Sequence, residues 1–159
     1  MITIARLYID DQRQMLAAIG QKLQNTVSRF TDGEVNWRPN KASNSAANLA
    51  VHICGNIGQR FGHLLNNKPD TRKRQAEFDV KLKRNVPELV QLLRQGFAEI
   101  DEVLARMPLG MLYDIVQAGD KQITVHELIS SCTAHYSEHL GQLLYIEKMR
   151  PFPPKPLKK

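Results

Sequence analysis

The chain has 159 residues, 42% of them hydrophobic, with no compositional break before its last few positions, so one domain over residues 1–150 with its own core is expected, followed by a Pro/Lys-rich tail over 151–159. The net charge of +6, from 22 Lys and Arg against 16 Asp and Glu, gathers in residues 68–84 and in the tail. No aromatic platform interleaves with either cluster, which argues for solvated charge and against a nucleic-acid groove. No stretch approaches 18 unbroken apolar residues, and "MITIARLYIDDQRQ" meets acidic residues too soon for a secretory signal, so a soluble, cytoplasmic protein without a membrane segment is expected. Cys54 and Cys132 each fall inside a predicted helix, which speaks against a disulfide framework.

Helical periodicity runs through residues 3–28, 45–66, 87–106 and 125–149. The second helix starts at Asn44 or Ser45, after Pro39 and a run of small polar residues. Asn85-Val-Pro-Glu88 places a capping residue before an early-turn proline, and Thr124-Val-His-Glu127 is a capping box. Between the last two helices, "LYDIVQAGDKQITV" can form a short β-hairpin centred on Ala-Gly-Asp-Lys. Four helices of about 30 Å each predict an all-α four-helix bundle. The connection over 67–85 is long enough to cross the bundle and join parallel helices.

Two inward stripes carry histidines. On the last helix Leu128, Cys132, His135, His139, Leu143 and Ile146 share one face; on the second, Leu49, His52, Ile53, Asn56, Ile57, Phe61 and Leu64 do. Three imidazoles then meet near the bundle axis. Their burial is costly unless each nitrogen finds a partner, and a divalent cation satisfies all three. His63 lies about 16 Å beyond His52 along the helix and His126 half a rotation from His135, so neither joins them. A zinc-peptidase HExxH motif needs glutamate where Tyr136 stands, and Glu138 is off the shared face. The Glu-x-x-His pairs of carboxylate-bridged di-iron bundles are missing from these stripes. What remains is a single ion, zinc or nickel, with His52, His135 and His139 as ligands and a fourth position open.

"NLAVHICGN" and "HYSEHLGQ" resemble the metal triad of the DinB-like superfamily, the YfiT-type four-helix proteins. "NWRPNKASNSAANLAVHICGN" and "PDTRKRQAEF" are similar, in order and spacing, to an uncharacterised subfamily of that group. The resemblance implies up-down-down-up connectivity, one zinc or nickel ion per subunit and homodimers. Some relatives are S-transferases using bacillithiol, mycothiol or glutathione; others are isomerases or hydrolases.

Gly55, Gly58 and Gly62 lie on one flank of the second helix, where something must approach closely, either a packed helix or subunit or a substrate. Asn56 and Gln142 can orient a ligand or bound water, or make plain buried hydrogen bonds. Cys132 reads as a small buried hydrophobe rather than a fourth ligand. Trp37 packs the preceding link against the bundle. An open three-histidine site without a protein nucleophile favours a small-molecule enzyme that activates a low-molecular-weight thiol as thiolate, with basic residues 72–74 and 81–84 steering the anionic cofactor. A metal-dependent hydrolase and a non-enzymatic, stress-related metal-binding module are the alternatives.

Overall fold

The computed structural model describes residues 3–151, so most of the predicted tail lies outside the described residues. Helix α1 spans Ile4–Val27, α2 Asp32–Val35, α3 Ala46–Ile57, α4 Arg74–Glu77, α5 Val86–Arg106 and α6 Val125–Met149. Strands β1 (Ile115–Ala118) and β2 (Lys121–Thr124) pair antiparallel, with Ala118 opposite Lys121. Gly119, at φ +71°, supplies the positive φ that this two-residue turn requires.

The starts follow from the sequence. Ser45 accepts from the Asn48 N–H, Asn85 accepts from the Glu88 N–H, and Thr124 forms a full capping box with Glu127. Two short helices were not readable from periodicity, because a single turn has none. α2 rests on a capping box between Thr31 and Glu34, and α4 interrupts the long 67–85 connection. The second long helix also differs from expectation: beyond α3 it widens into a π-helical segment over Gly58–Leu65. Eight residues are too few for hydropathy to separate that winding from an α-helix.

Side-chain contacts fix the directions. Tyr8 Oη lies 2.7 Å from Ser130 Oγ, Thr133 donates to Gln12 at 2.6 Å and Arg29 pairs with Glu147 at 2.6 Å, so α1 and α6 are parallel. Arg13 meets Asp101 and Gly20 meets Phe97, so α5 runs opposite to α1. Ile57 lies against Gly96 and Gly62 against Glu99, so α3 runs with α5. The bundle is therefore up-down-down-up, and α3 and α6 are antiparallel neighbours. Among the described residues no helix is long and apolar enough to cross a membrane.

The core contains Leu16, Leu23, Ile53, Ile57, Leu93 and Ile100, all essentially inaccessible, and the half-buried Trp37 packs against it. At the end opposite the hairpin, Arg150 donates to the Arg29 carbonyl at 3.1 Å, lies over the Phe30 ring at 5.0 Å and comes within 3.6 Å of Glu34.

Gly20 tests how tightly α1 and α5 pack, because a Cβ there would stand 2.5 Å from Phe97 Cγ. Gly20→Ala is expected to destabilise by about 1–3 kcal/mol through overpacking, even though alanine favours the helix by about 1 kcal/mol. Urea denaturation of the variant, alone and with Phe97→Leu to make room, checks both the sign and the cause.

Candidate metal centre

α3 and α6 bring the three histidines together where these helices face one another. His52 Nε2 lies 3.1 Å from His135 Nε2. Ring centroids are 4.9 Å apart for His52 and His139 and 4.3 Å for His135 and His139, and one ligand atom from each residue falls within 4.8 Å of the others. His52 and His139 are buried; His135 is half-buried, which corrects the expectation that both histidines of α6 point fully inward. The reason is visible one residue on, where Tyr136 takes the innermost place, fully buried and edge-on to Phe97.

The hydrogen bonds set the tautomers. His52 Nδ1 lies 2.8 Å from Glu77 Oε2, and an ionised carboxylate only accepts, so Nδ1 carries the proton and the Nε2 lone pair is free. His139 Nδ1 donates to Gln142 Oε1 at 2.8 Å, which frees its Nε2 in the same way. That Nε2 is the one buried side-chain polar atom without a partner among the described residues. A buried acceptor left unpaired is costly, and here it accompanies two further imidazole nitrogens at coordination-scale spacing. About 3.3 Å separates two nitrogens bound at 2.0–2.1 Å to a tetrahedral centre, close to the His52–His135 separation. The three-histidine group can hold a metal ion, and neutral imidazoles suit zinc or nickel.

Glu77 is itself held. Arg72 donates to it through Nε at 2.7 Å and Nη2 at 2.8 Å, and through Nη1 to Gln59 at 2.9 Å. The side chains of Arg72 and Glu77 are only 7% and 6% exposed, so this is a buried, bidentate pair. It lies against α3 because residue 55 is glycine: a Cβ there would sit 2.2 Å from Glu77 Oε1. A Cβ at Gly62 would crowd Glu99 at 3.1 Å, whereas Gly58 has no such neighbour, so the expected close approach holds at two of the three positions. Asn48 completes the mount by donating to the Glu77 and Asp79 carbonyls at 2.8 and 3.1 Å.

Burial holds His52 below its ordinary value against the pull of Glu77, and pushes His135 down to about 4 with help from the neighbouring imidazoles. For Glu77, burial acts upward, but Arg72 and His52 outweigh it and the carboxyl sits below its ordinary value. At His52 and His135 burial thus favours the neutral imidazole, and His52 is backed by a charged carboxylate.

Residues 3–151 match the family described as a protein of unknown function, DUF1572. The chain belongs to this family. Among solved structures it is similar to a conserved protein from Enterococcus faecalis, with a TM-score of 0.75 at 16% identity, covering 93% of this chain and 97% of that one. It is also similar to a DinB-like protein, YjoA, from Bacillus subtilis, with a TM-score of 0.67 at 14% identity, covering 92% and 99%. No curated protein matches the chain. At these identities the likeness is one of fold: this member of the family has a helical bundle like that of the DinB-like protein.

Against this frame the other candidate residues sort clearly. Gln142 accepts from His139 Nδ1; Asn56 instead accepts from the Tyr136 hydroxyl at 2.9 Å and, among the described residues, makes no hydrogen bond to a histidine. Cys132 is a buried thiol outside the histidine group. His63 donates from Nδ1 to the Lys68 carbonyl and His126 lies exposed beside Tyr8, so neither joins the centre. The basic 72–74 run is not a free steering patch, because Arg72 is buried on Glu77. Glu77 and Arg72 were missed because a charged connecting segment gives no hydropathy signal. Their trace was Gly55, a small residue waiting for a neighbour.

Glu77→Gln, which keeps shape but removes the charge, is expected to weaken zinc binding by about 10–100-fold in competition with a chromogenic chelator. The pH dependence of the metal-free protein has a definite sign. Because His135 moves from about 6.5 unfolded to about 4 folded, the unfolded chain binds more protons between those values. Stability is therefore expected to fall as pH drops from 6.5 towards 4, with no contribution from this group above 6.5. Denaturant titrations of chelated protein across that range, beside His135→Gln, would read it.

Proposed function

We propose that His52, His135 and His139 bind one divalent cation, zinc or nickel, and that the protein is a metal-dependent enzyme transferring a low-molecular-weight thiol to an electrophile. The observation that carries the first half is the orphaned, buried Nε2 of His139, aimed with its tautomer fixed at a point shared with two other imidazoles. Cations held in such a ligand set make a thiol ionise at neutral pH.

The second half rests on what the chain itself withholds. Burial pushes the Cys54 thiol up to about 12 and the Cys132 thiol up to about 11, so neither is a ready nucleophile. Glu77 is spent on Arg72 and His52, and Glu127 accepts from the Thr124 N–H at 2.8 Å in its capping box. Glu138 is exposed, outside the cleft beside His135. Among the described residues no carboxylate other than Glu77 is hydrogen-bonded to the three histidines, so hydrolysis is the weaker reading, and a nucleophile supplied from solution is the stronger one. His135, the half-buried member of the group, faces that cleft and is the edge from which a small molecule would enter.

Elemental analysis of untagged protein is expected to find about one zinc or nickel per chain, and His52→Ala to lose it. Metal-loaded protein is expected to conjugate bacillithiol or glutathione with a reactive electrophile, and the variant not to. Metal retained in stoichiometric amount by His52→Ala would overturn the site assignment. Turnover of esters or amides without conjugation would turn the reading to a hydrolase, and bound metal with no turnover at all to a non-enzymatic binding module.

A further inference from the structure

Two clefts open along the seam between α3 and α6, one on each side of the histidines. The one towards α6's C-terminus is lined by Leu49, Gln142, Tyr145 and Ile146. The other, about 450 Å³, lies under the hairpin and has His135, Ser131, Arg60, Lys121 and Ile123 in its wall.

The second cleft has an unusual charge arrangement. Arg60, on the π-helical continuation of α3, is half-buried, and among the described residues no hydrogen bond or ion pair engages it. Lys121, at the start of β2, is exposed on the hairpin wall. The one acid in this wall, Glu127, is turned into its capping box by two bonds from Thr124, at 2.8 and 3.0 Å. Fully buried arginines are ordinarily paired, and even a half-buried guanidinium offers five donors in a fixed fork. Here Arg60 lines the open cleft, within electrostatic reach of His135, Cys132 and Tyr136.

We infer that this cleft is a carboxylate-binding subsite in which Arg60, with Lys121 on the hairpin wall, holds a small organic acid whose other end lies toward His135. A planar carboxylate matches the guanidinium fork in a way that a point anion does not. Ile123 and Leu128 supply the apolar surface along which the body of the ligand lies. The π-helical winding has a role in this reading: it sets the position of Arg60, two turns beyond His52, relative to the seam. The acid is carried either by the thiol or by its electrophilic partner. The subsite rests on the proposed metal centre only for what meets the ligand's far end; its own anion recognition needs no metal.

The test therefore starts with metal-free protein titrated with glutathione and with S-methylglutathione, followed by amide and arginine-side-chain NMR. Both acids are expected to shift the Arg60 Nε–H and the Ile123 and Ser131 amides. Arg60→Gln is expected to weaken both by roughly tenfold, the effect of losing a charge-assisted bidentate contact. Lys121→Glu, at an exposed position that cannot disturb the core, is expected to weaken both by a smaller factor. Unchanged affinities in Arg60→Gln, or shifts that map away from the hairpin, would overturn the subsite. Zinc-loaded protein then separates the two readings. Tighter binding of glutathione than of its S-methyl form places the acid on the thiol. Equal binding with the Arg60 dependence intact leaves the subsite standing, assigns the acid to the electrophile and counts against thiol activation.

Discussion

Glu77 can reach His52 because residue 55 has no side chain. The carboxylate occupies the volume that any Cβ at that position would need, and from there it bonds the Nδ1 of an imidazole on the next turn back. Everything chemical about the centre follows from that contact: the proton sits on Nδ1, the lone pair sits on Nε2, and the ring is held in one orientation. A carboxylate buried to this degree would ordinarily be neutralised or expelled, and the bidentate Arg72 keeps it charged. Gly55 costs the helix a fraction of its intrinsic preference, up to about 1 kcal/mol. In return the bundle gains a charged support directly behind a metal-ligand candidate.

The fold was largely legible in the sequence, and the reasons are local. Ser45, Asn85 and Thr124 mark helix starts because their side chains can accept from orphan N–H groups, and all three do so. The hairpin was legible through Gly119, whose positive φ few other residues adopt cheaply. The stripes on α3 and α6 placed the histidines on facing surfaces, and the up-down-down-up order was implied by the family resemblance, with a 67–85 connection long enough to permit it. What periodicity cannot resolve are pieces of a single turn, such as α2 and α4, and a change of winding such as the one after Ile57.

The histidine group was legible in the sequence and its supports were not. His52, His135, His139 and Gln142 all lie on long helices, where spacing predicts neighbours. Glu77 and Arg72 lie on the 67–85 connection, among eight other charged residues that remain on the surface or in peripheral contacts. Nothing in one sequence distinguishes the buried pair from its solvated neighbours, because the distinction is made by a tertiary contact. Tyr136 shows the same limit from the other side: a four-residue step aligned His135 with His139, but the larger tyrosine won the interior and left His135 at the edge.

One consequence concerns the connection itself. Residues 67–85 carry the carboxylate that steadies His52, and Asn48 and Arg38 bind the backbone of the same segment through the carbonyls of Phe78 and Asp79. An ion held at the histidine cluster would therefore be linked, through Glu77, to the folded form of this surface segment. By reciprocity, any partner or small molecule that favours the folded form of the segment must alter affinity at the cluster by the same factor with which a bound ion favours the segment. A stretch that looks like a peripheral tether is thermodynamically part of the interior.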